Sequence, residues 1–295
     1  MIQITNLNKS YGKKQVLKNL SLNINNGVYG LLGENGAGKS TLMKILTTLI
    51  PYDSGEIKIF NHSLPKEDEE VRKILGYLPQ HFDFFPNISV YDAMDYLAAL
   101  KKLPIGKKRE KEILDLLEKT NLIENKKTKV KHLSGGMKQR LGIAQSLLSN
   151  PKIIILDEPT VGLDPKERLT FRNLINELGK DRIILLSTHI VSDISSSCEN
   201  LAILKKGKLL YEGAIAKLVE KVTDMVYVIE IEDNELKQLS KELQVVSIQR
   251  LNNKVEVRFI CENLKEGYKK AKLVIPTLED AYFYISFLKS RGGEK

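Results

Sequence analysis

The sequence has few cysteines and no long apolar run, and both shortages narrow the classes of protein to which it can belong. Only two cysteines occur among 295 residues, Cys198 and Cys261, and neither lies in a CxxC or Cys/His spacing. A disulfide framework and a zinc site are therefore not predicted, and both thiols are expected to be free and buried. No apolar stretch approaches the roughly 18 to 20 residues that cross a bilayer, and the first residues lack the apolar core of a signal peptide. These absences predict a soluble protein of the cytosol.

The charge is strongly positive, with a formal net charge of +9, and most of the excess lies before residue 214. A basic chain can bind nucleic acid, an anionic membrane surface or a phosphate-rich ligand. Lysines cluster at 107–111 and 126–131, but no aromatic residues are interleaved there as a platform for nucleotide bases would require. We interpret both clusters as solvated helix faces and expect no direct contact with nucleic acid.

The hydrophobic pattern indicates an α/β fold. Residues 152–156 and 182–187 are almost continuously apolar, which is typical of strands buried on both faces of a parallel sheet. A helix is predicted between them at 165–178, and a mainly helical subdomain is predicted as an insertion at about 85–150. In open sheets of this kind, ligands gather at the carboxyl ends of the strands.

The pattern of predicted elements changes after Gly213, where short strand-like and helix-like segments alternate. The predicted elements are strands at 225–231, 243–249, 254–260 and 272–275, helices at 234–241 and 262–270, and a final amphipathic helix. The order β-α-β-β-α-β is typical of a ferredoxin-like module. We therefore expect a second, small α+β domain over residues 216–295.

A glycine-rich segment follows one short apolar strand and precedes a helix. It reads Gly33-Glu34-Asn35-Gly36-Ala37-Gly38-Lys39-Ser40-Thr41 and matches the pattern GxxxxGK[ST]. Its glycines let backbone N–H groups converge on phosphate oxygens, and the helix N-terminus adds its positive end. Lys39 is expected to reach the β- and γ-phosphates, and the Ser40 hydroxyl is expected to ligate Mg²⁺. A chance glycine-rich turn is disfavoured by the strand and helix on either side.

Two acids end the apolar strand near residue 156. Asp157 is expected to hold Mg²⁺ through water, and Glu158 is placed to orient or deprotonate an attacking water molecule. Paired acids can instead cap a helix or form salt bridges. Beside a phosphate loop, the catalytic interpretation is favoured.

Three further polar segments are predicted at the ligand edge. Ser134-Gly135-Gly136, at the start of a helix, presents a hydroxyl and free N–H groups to an anion. His189 follows an apolar strand and is placed to hydrogen-bond a γ-phosphate, and Gln80 ends another strand. Taken singly, each has an ordinary alternative as an N-cap, a structural histidine or a polar loop residue.

Taken together and in this order, these segments resemble the nucleotide-binding subunit of the ATP-binding cassette (ABC) family. The resemblance covers residues 1 to about 215 and rests on the phosphate loop, Gln80, the segment LSGGM from Leu133, Asp157-Glu158, Gly162-Leu163-Asp164 and His189. It implies a P-loop NTPase (ABC ATPase) fold that binds ATP and Mg²⁺ and hydrolyses ATP. It also implies a head-to-tail dimer, of two copies or with a related ATPase, and a transmembrane permease partner at the inner face of the cell membrane.

The same resemblance implies roles for single residues. Tyr11 would stack on adenine, although an ordinary turn aromatic remains an alternative at this position. Ser134 and Gly136 would contact the γ-phosphate of ATP held by the other protomer, and Asp164 would couple the two sites. Gln80 would link the metal site to the helical subdomain, whose surface receives the permease. A monomer should then bind ATP but hydrolyse it poorly.

The last segment of the chain bears on the direction of transport. Residues 275–282 resemble the closing element of ABC exporters that handle drugs, lipids or polysaccharides. Thr277 and Asp280 also fit a capping box, so this segment could serve only to start a helix. Export is the leading hypothesis, and an importer ATPase is the nearest alternative.

Two other classes of protein are alternatives to a transporter subunit. Non-transport ABC proteins that act on ribosomes or chromosomes usually carry two cassettes, or a long coiled coil between the phosphate loop and the signature segment. Here one cassette occurs, and Lys39 and Ser134 lie too close together for such an insertion. A regulatory binding module without turnover is disfavoured by the presence of both Glu158 and His189.

Overall fold

The chain forms two units, Met1–Glu212 and Gly213–Lys295, in a computed structural model that describes residues 1–251, 254–264 and 266–291. The strands that begin in the first unit are β1 (Ile2–Tyr11), β2 (Lys14–Ile24), β3 (Gly27–Leu32), β4 (Ser54–Ile59), β5 (His62–Leu64), β6 (Leu75–Leu78), β7 (Ile153–Asp157), β8 (Ile183–Thr188), β9 (Asn200–Lys205) and β10 (Lys208–Ala214). Its helices are α1 (Lys39–Leu46), α2 (Asp68–Lys73), α3 (Val90–Leu100), α4 (Lys107–Lys119), α5 (Gly135–Ser146), α6 (Pro165–Leu178) and α7 (Val191–Ser195).

A six-stranded sheet with the order β10-β9-β3-β8-β7-β6 determines where ligands can gather. The neighbours from β9 to β6 are parallel, and β7 and β8 are buried along their whole length, as their apolar runs predict. The register pairs Leu32 with Thr188 and Asp157 with Ser187. The carboxyl ends of β3, β8 and β7 therefore lie side by side, and the residues that follow these strands meet at one edge.

The hydrophobic core of the first unit lies between this sheet and a second sheet and contains residues from both. Strands β2, β1, β4 and β5 form an antiparallel sheet in that order, and apolar residues of both sheets belong to one buried cluster. Helix α1 contacts both β2 and β7, and its Leu42 and Met43 are fully buried in the cluster. Burial of each such side chain contributes about 1.5 to 3 kcal/mol, so the helix that follows the phosphate loop is firmly anchored.

The basic clusters of the helical subdomain differ in part from the expectation of solvated helix faces. Helices α3, α4 and α5 pack on one another, and α4 exposes Lys107, Lys108 and Lys111. Arg109 is instead buried, and its guanidinium pairs with the Asp95 carboxylate at 2.6 Å, because that side of α4 faces α3. The cluster at 126–131 begins in a turn and ends in a single turn of 3-10 helix at Val130–His132, not in an α-helix.

The second unit is built on a four-stranded antiparallel sheet. Its elements are α8 (Ile215–Glu220), β11 (Val226–Ile231), α9 (Leu236–Glu242), β12 (Gln244–Leu251), β13 (Lys254–Ile260), β14 (Lys272–Leu273) and α10 (Leu278–Arg291). The sheet order β12-β13-β11-β14 places β13 between the two strands that α9 connects, which is a split β-α-β arrangement. Leu239 of α9 packs with Val257 and Phe259 in a separate core.

The helix predicted at 262–270 is wrong in the residues that the structure describes there. A single turn of 3-10 helix at Glu266–Tyr268 occupies the connection, and residue 265 lies outside the described residues. Leu264 and Tyr268 have the spacing of one helix face, but Gly267 lies between them and disfavours a helix.

Helix α10 begins with the capping interactions that its sequence predicts. Asp280 accepts hydrogen bonds from the backbone N–H and the hydroxyl of Thr277 at 2.6 and 2.7 Å. Its fully buried carboxylate also accepts two hydrogen bonds from Arg258 of β13, each 2.8 Å long. Burial alone raises the pKa of Asp280, but the bonds from Arg258 and Thr277 outweigh burial and hold this pKa below its usual value.

The two cysteines are free, but they differ in exposure. Cys198 is buried, and burial raises its pKa to about 12. Cys261 is only partly buried, with its Sγ 3.0 Å from the carbonyl oxygen of Asn263, so the expectation of two buried thiols is wrong for this residue. Among the described residues, no helix has the length and apolar character needed to span a membrane.

Candidate functional site

The phosphate loop connects β3 to α1 and depends on glycine at several positions. Gly36 and Gly38 have φ angles of 80° and 110°, in the left-handed region that favours glycine. At Gly33, a Cβ atom would collide with the carbonyl oxygen of Leu204. No side chain caps the N-terminus of α1, so its first N–H groups remain available to an anion.

The Glu158 carboxylate contacts both Lys39 and His189; Lys39 and Glu158 are buried, whereas His189 is exposed. The Lys39 ammonium lies 3.3 Å from Glu158 Oε1 and donates a 2.7 Å hydrogen bond to the carbonyl oxygen of Gly33. The second carboxylate oxygen, Glu158 Oε2, lies 2.9 Å from Nδ1 of His189. Lys39 and Glu158 are only 5% and 4% exposed, so each buried charge is compensated by the other.

The backbone of Glu158, whose carboxylate contacts Lys39 and His189, adopts an unusual conformation. Its φ angle is 52°, in the left-handed region that costs a residue other than glycine about 1 to 2 kcal/mol. The backbone N–H of Glu158 donates to the hydroxyl oxygen of Ser187 at 3.1 Å, which holds the residue there. Strain of this kind is frequent at functional sites.

Ser187 is a site residue that the sequence analysis missed. Its hydroxyl donates to Asp157 Oδ1 at 2.5 Å and accepts from the Glu158 backbone, so it orients both acids. The signal available in the sequence was a hydroxyl residue at the end of an otherwise apolar strand. Its pairing partner across the sheet could not be read from the sequence alone.

A cleft of about 950 Å³ opens in front of Lys39 and Glu158. Its walls include the loop residues Glu34, Asn35, Gly36, Ala37, Gly38, Lys39, Ser40 and Thr41, together with Gln80 and Glu158. Four lysines that the sequence analysis did not single out also line it: Lys13, Lys14, Lys18 and Lys206. Tyr11 is the last residue of β1 and precedes Lys13, which lines the cleft, by two positions in the sequence. Its side chain is half exposed, and the Lys9 ammonium lies 5.6 Å from its ring centroid. The cleft is thus large, basic and suited to a polyphosphate.

The oxygen donors expected for Mg²⁺ lie around the same cleft. Ser40 and Gln80 line it, and Asp157 ends β7 beside Glu158. Mg²⁺ prefers oxygen ligands and usually binds one or two protein side chains together with water and phosphate. The described residues contain no cluster of three or more His, Cys, Asp or Glu side chains that could hold a metal ion. The oxygen donors of Ser40, Gln80 and Asp157 are of the kind that Mg²⁺ binds together with water and phosphate.

The remaining predicted residues are placed at the starts of two other helices. Ser134 caps α5, where its hydroxyl accepts from the backbone N–H of Met137 at 3.2 Å, and Gly135 and Gly136 form the first turn. Asp164 caps α6 and accepts from the backbone N–H of Glu167 at 2.8 Å. None of these residues lines the cleft that Lys39 and Glu158 share.

Comparison with known proteins identifies the class to which this fold and site belong. The sequence profile of the ABC transporter family matches residues 17–161. The lantibiotic transport ATP-binding protein SrtF of Streptococcus pyogenes is 41% identical over 214 residues, which are 72% of this chain and 90% of that protein. The bacitracin transport ATP-binding protein BcrA of Bacillus licheniformis is 39% identical over 215 residues, which are 72% of this chain and 69% of that protein.

A solved structure supports the same assignment. The dimeric post-hydrolysis state of the ATP-binding cassette MJ0796, bound to ADP and Pi, matches with a TM-score of 0.67 and 28% identity. The match covers 72% of this chain and 98% of MJ0796. The chain belongs to the ABC transporter family, as an ATPase subunit that binds and hydrolyses ATP. The fold and the ATPase activity predicted from the sequence are confirmed.

Proposed function

We propose that this chain powers export through a separately encoded membrane permease by closing with a second ATPase protomer around two MgATP molecules. The observation that carries the proposal is the pair of contacts that Glu158 makes with Lys39 and with His189, because Lys39 and Glu158 both line the basic cleft. In this proposal the second protomer is another copy or a related ATPase, and the assembly lies on the inner face of the cell membrane.

The phosphate loop binds the nucleotide, and the chain's own donors neutralise its charge. In this proposal Lys39 and the N–H groups at the start of α1 contact the phosphates, and Tyr11 stacks on the adenine. Ser40, Gln80 and Asp157 would hold Mg²⁺, which supplies charge neutralisation on the phosphate oxygens when it is bound. Ser187 keeps Asp157 in place through its 2.5 Å hydrogen bond.

Glu158 provides the base for hydrolysis. Both of its carboxylate oxygens are engaged without nucleotide, one by Lys39 and the other by His189. A γ-phosphate competes for the Lys39 ammonium, which frees one oxygen of Glu158 to accept a proton from the attacking water. His189 remains on the other oxygen and positions the carboxylate.

The placement of the two other helix starts supports a dimer. Ser134, Gly135, Gly136 and Asp164 do not line the cleft of their own chain. A helix start that presents a hydroxyl and free N–H groups is suited to an anion, so these residues would contact the γ-phosphate held by the other protomer. The solved relative MJ0796 is a dimer, which agrees with this arrangement.

An apolar cavity next to the loop that follows Gln80 is suited to the permease. The cavity measures about 380 Å³ and is lined mainly by Phe84, Phe85, Ala93, Tyr96 and Leu97. Phe85 is 60% exposed and packs edge-on against Tyr96 at 5.5 Å. Exposed aromatic side chains around a cavity are typical of protein contacts. Because Gln80 joins this loop to the metal site, movement there would reach the permease.

The names of the relatives suggest a substrate class for this chain. SrtF is named for lantibiotic transport and BcrA for bacitracin transport. We therefore propose an antibiotic of this kind as the exported substrate.

A pull-down from native membranes tests the proposal. Tagged Glu158→Gln protein with MgATP should recover a multi-helix membrane protein, identified by mass spectrometry. Phe85→Ser in the same background should lose it, whereas Leu169→Ser, which also removes an exposed apolar side chain, should retain it. Recovery of ribosomes or DNA in place of a permease would refute the transporter role.

A further inference from the structure

Glu167 connects two elements that the proposed dimer presents to the partner's nucleotide. On its own helix it completes a capping box, in which its Oε2 accepts from the Asp164 backbone N–H at 3.3 Å. Its own backbone N–H donates to Asp164 Oδ1 at 2.8 Å. The carboxylate of Glu167 is therefore fixed relative to Asp164.

The same carboxylate also contacts the first turn of α5. A methyl group added at Gly136 would overlap both carboxylate oxygens of Glu167, so the glycine lies directly against them. One turn further along α5, Nη2 of Arg140 lies 3.6 Å from Glu167 Oε1. Residues four apart share one face of a helix, so Glu167 touches α5 at two points on the side facing α6.

The ion pair with Arg140 distinguishes Glu167 from an ordinary capping residue. Capping requires only an acceptor for the Asp164 N–H, which a glutamine supplies equally well. Glu167 is the acid that pairs with the Arg140 guanidinium in the described part of the chain, and the Nε of Arg140 is buried there without a hydrogen-bond partner of its own. Pairing also lowers the repulsion between the Glu167 carboxylate and an anion that approaches the start of α5.

A second contact ties α5 to the hydrolytic residues of the same chain. The side-chain amide of Gln139 donates to the carbonyl oxygen of Pro159 at 2.9 Å, immediately after Glu158. The start of α5 is therefore held both to the loop after β7 and to the start of α6.

We propose that Glu167 is a positioning residue that locks the Ser134–Gly136 segment to Asp164, so that both elements reach the partner's nucleotide as one rigid body. The proposal rests on the head-to-tail dimer of the proposed function. It assigns Glu167 no contact with ATP and no part in proton transfer. Its loss should weaken closure of the dimer while leaving nucleotide binding by one protomer intact.

The test separates these two quantities in the full chain carrying Glu158→Gln, which prevents turnover. Adding Glu167→Ala should raise the dissociation constant of the MgATP-dependent dimer about tenfold, as expected for a modest coupling free energy. The affinity of the monomer for a fluorescent ATP analogue should not change. Lys166→Ala, at an exposed neighbouring position, serves as the matched control and should leave both quantities unchanged.

A double-mutant cycle shows whether the ion pair is responsible. Arg140→Ala should weaken the dimer less than Glu167→Ala, because it removes only the ion pair, and the two changes combined in the same background should weaken it no more than Glu167→Ala alone. If Glu167→Ala lowers the melting temperature so far that it does not fold, Glu167→Gln replaces it, because glutamine retains the cap and loses only the ion pair. Glu167→Gln should then give part of the same effect.

The outcomes distinguish this inference from the proposed function. If Glu158→Gln protein dimerises with MgATP and the Glu167 variants dimerise equally well, the positioning role is wrong. If the effects of Arg140→Ala and Glu167→Ala add, the ion pair is not the link. If Glu158→Gln protein does not dimerise at all, the proposed dimer itself fails.

Discussion

At the scale of single residues, the account depends on two buried charges of opposite sign. Lys39 and Glu158 compensate each other, and His189 engages the remaining carboxylate oxygen. Removing one member of a buried pair leaves an uncompensated charge, which commonly costs about 3 to 5 kcal/mol. Substitutions here must therefore be accompanied by a measurement of stability if they are to report on function.

Glu158→Gln separates chemistry from binding. The amide keeps the size of the side chain and can still hydrogen-bond His189, but it cannot accept the proton from water. We expect turnover to fall on the order of 10²- to 10⁴-fold, with ATP affinity retained. Steady-state hydrolysis and equilibrium binding of a fluorescent ATP analogue measure the two effects. Turnover at the wild-type rate would remove Glu158 from its assigned role.

Lys39→Ala should weaken the binding of ATP itself, in contrast to Glu158→Gln. A charge-assisted hydrogen bond to phosphate is worth about 1.5 to 3 kcal/mol, so ATP affinity should fall roughly 10- to 100-fold. The same binding titration checks this result, with a thermal melt to show that the variant is folded. Undiminished affinity would mean that the phosphate loop has been misinterpreted.

The sequence indicates most of the residues around the cleft, because a motif with fixed spacing carries them. Lys39 and Ser40 follow directly from the phosphate loop, and Glu158 follows from its place after an apolar strand. Ser187 and the left-handed backbone of Glu158 could not be predicted, because both depend on a pairing across β7 and β8. The lysines that line the cleft could not be predicted either, because turns distant in sequence bring Lys13 and Lys206 to the same cleft.

At the scale of elements, periodicity predicts the long segments and fails at short connections. The helix predicted at 165–178 has those bounds in the structure, because proline in the first turn and a capping aspartate mark its start. The helix predicted at 262–270 fails, because an interior glycine outweighs a weak apolar spacing. Strands β9 and β10 were not predicted, although Leu201–Leu204 form a continuous apolar run and Gly207 marks the turn that follows it.

The start of α10 offers a prediction about stability. Asp280→Asn removes a buried carboxylate that holds Arg258 and the start of the helix, so we expect the second unit to lose about 2 to 4 kcal/mol at neutral pH. Hydrogen exchange of peptides from β13 and α10, followed by mass spectrometry, should show the loss locally. Peptides from the first unit serve as the internal reference.

The pH dependence of this effect has a defined sign. The pKa of Asp280 is lower in the folded chain than its unfolded value of about 3.9. Its stabilising contribution is therefore complete above that unfolded value and is lost as the pH falls through the folded pKa. The difference between wild type and Asp280→Asn should narrow below about pH 4. A difference that stays constant down to pH 2.5 would show that the ion pair is not its origin.

At the scale of the whole molecule, the chain has two units with separate cores. The residues that we propose to bind and hydrolyse ATP lie in Met1–Glu212, as do all the described residues that line the cleft. We propose that the second unit is an accessory domain. Its own apolar cluster of Ile229, Leu239, Val255, Val257 and Phe259 supports independent folding.

A truncation tests this division. A chain that ends at Ala214 keeps all of β10, and Glu212 can still accept its hydrogen bond from the Asn23 backbone. We expect this fragment to fold and to bind ATP with the affinity of the full chain, as measured by calorimetry. Comparing its MgATP-dependent dimerisation with that of the full chain then shows whether the second unit stabilises the dimer. Loss of ATP binding by a folded fragment would contradict the division.

The central claim is that two protomers must close around MgATP before hydrolysis. Light scattering from Glu158→Gln protein, with and without MgATP, tests it most directly, with the Glu158→Gln/Lys39→Ala double variant as the control that should not respond. The account predicts a monomer without nucleotide and twice that mass with MgATP. A monomer under both conditions, in protein that demonstrably binds ATP, would contradict it.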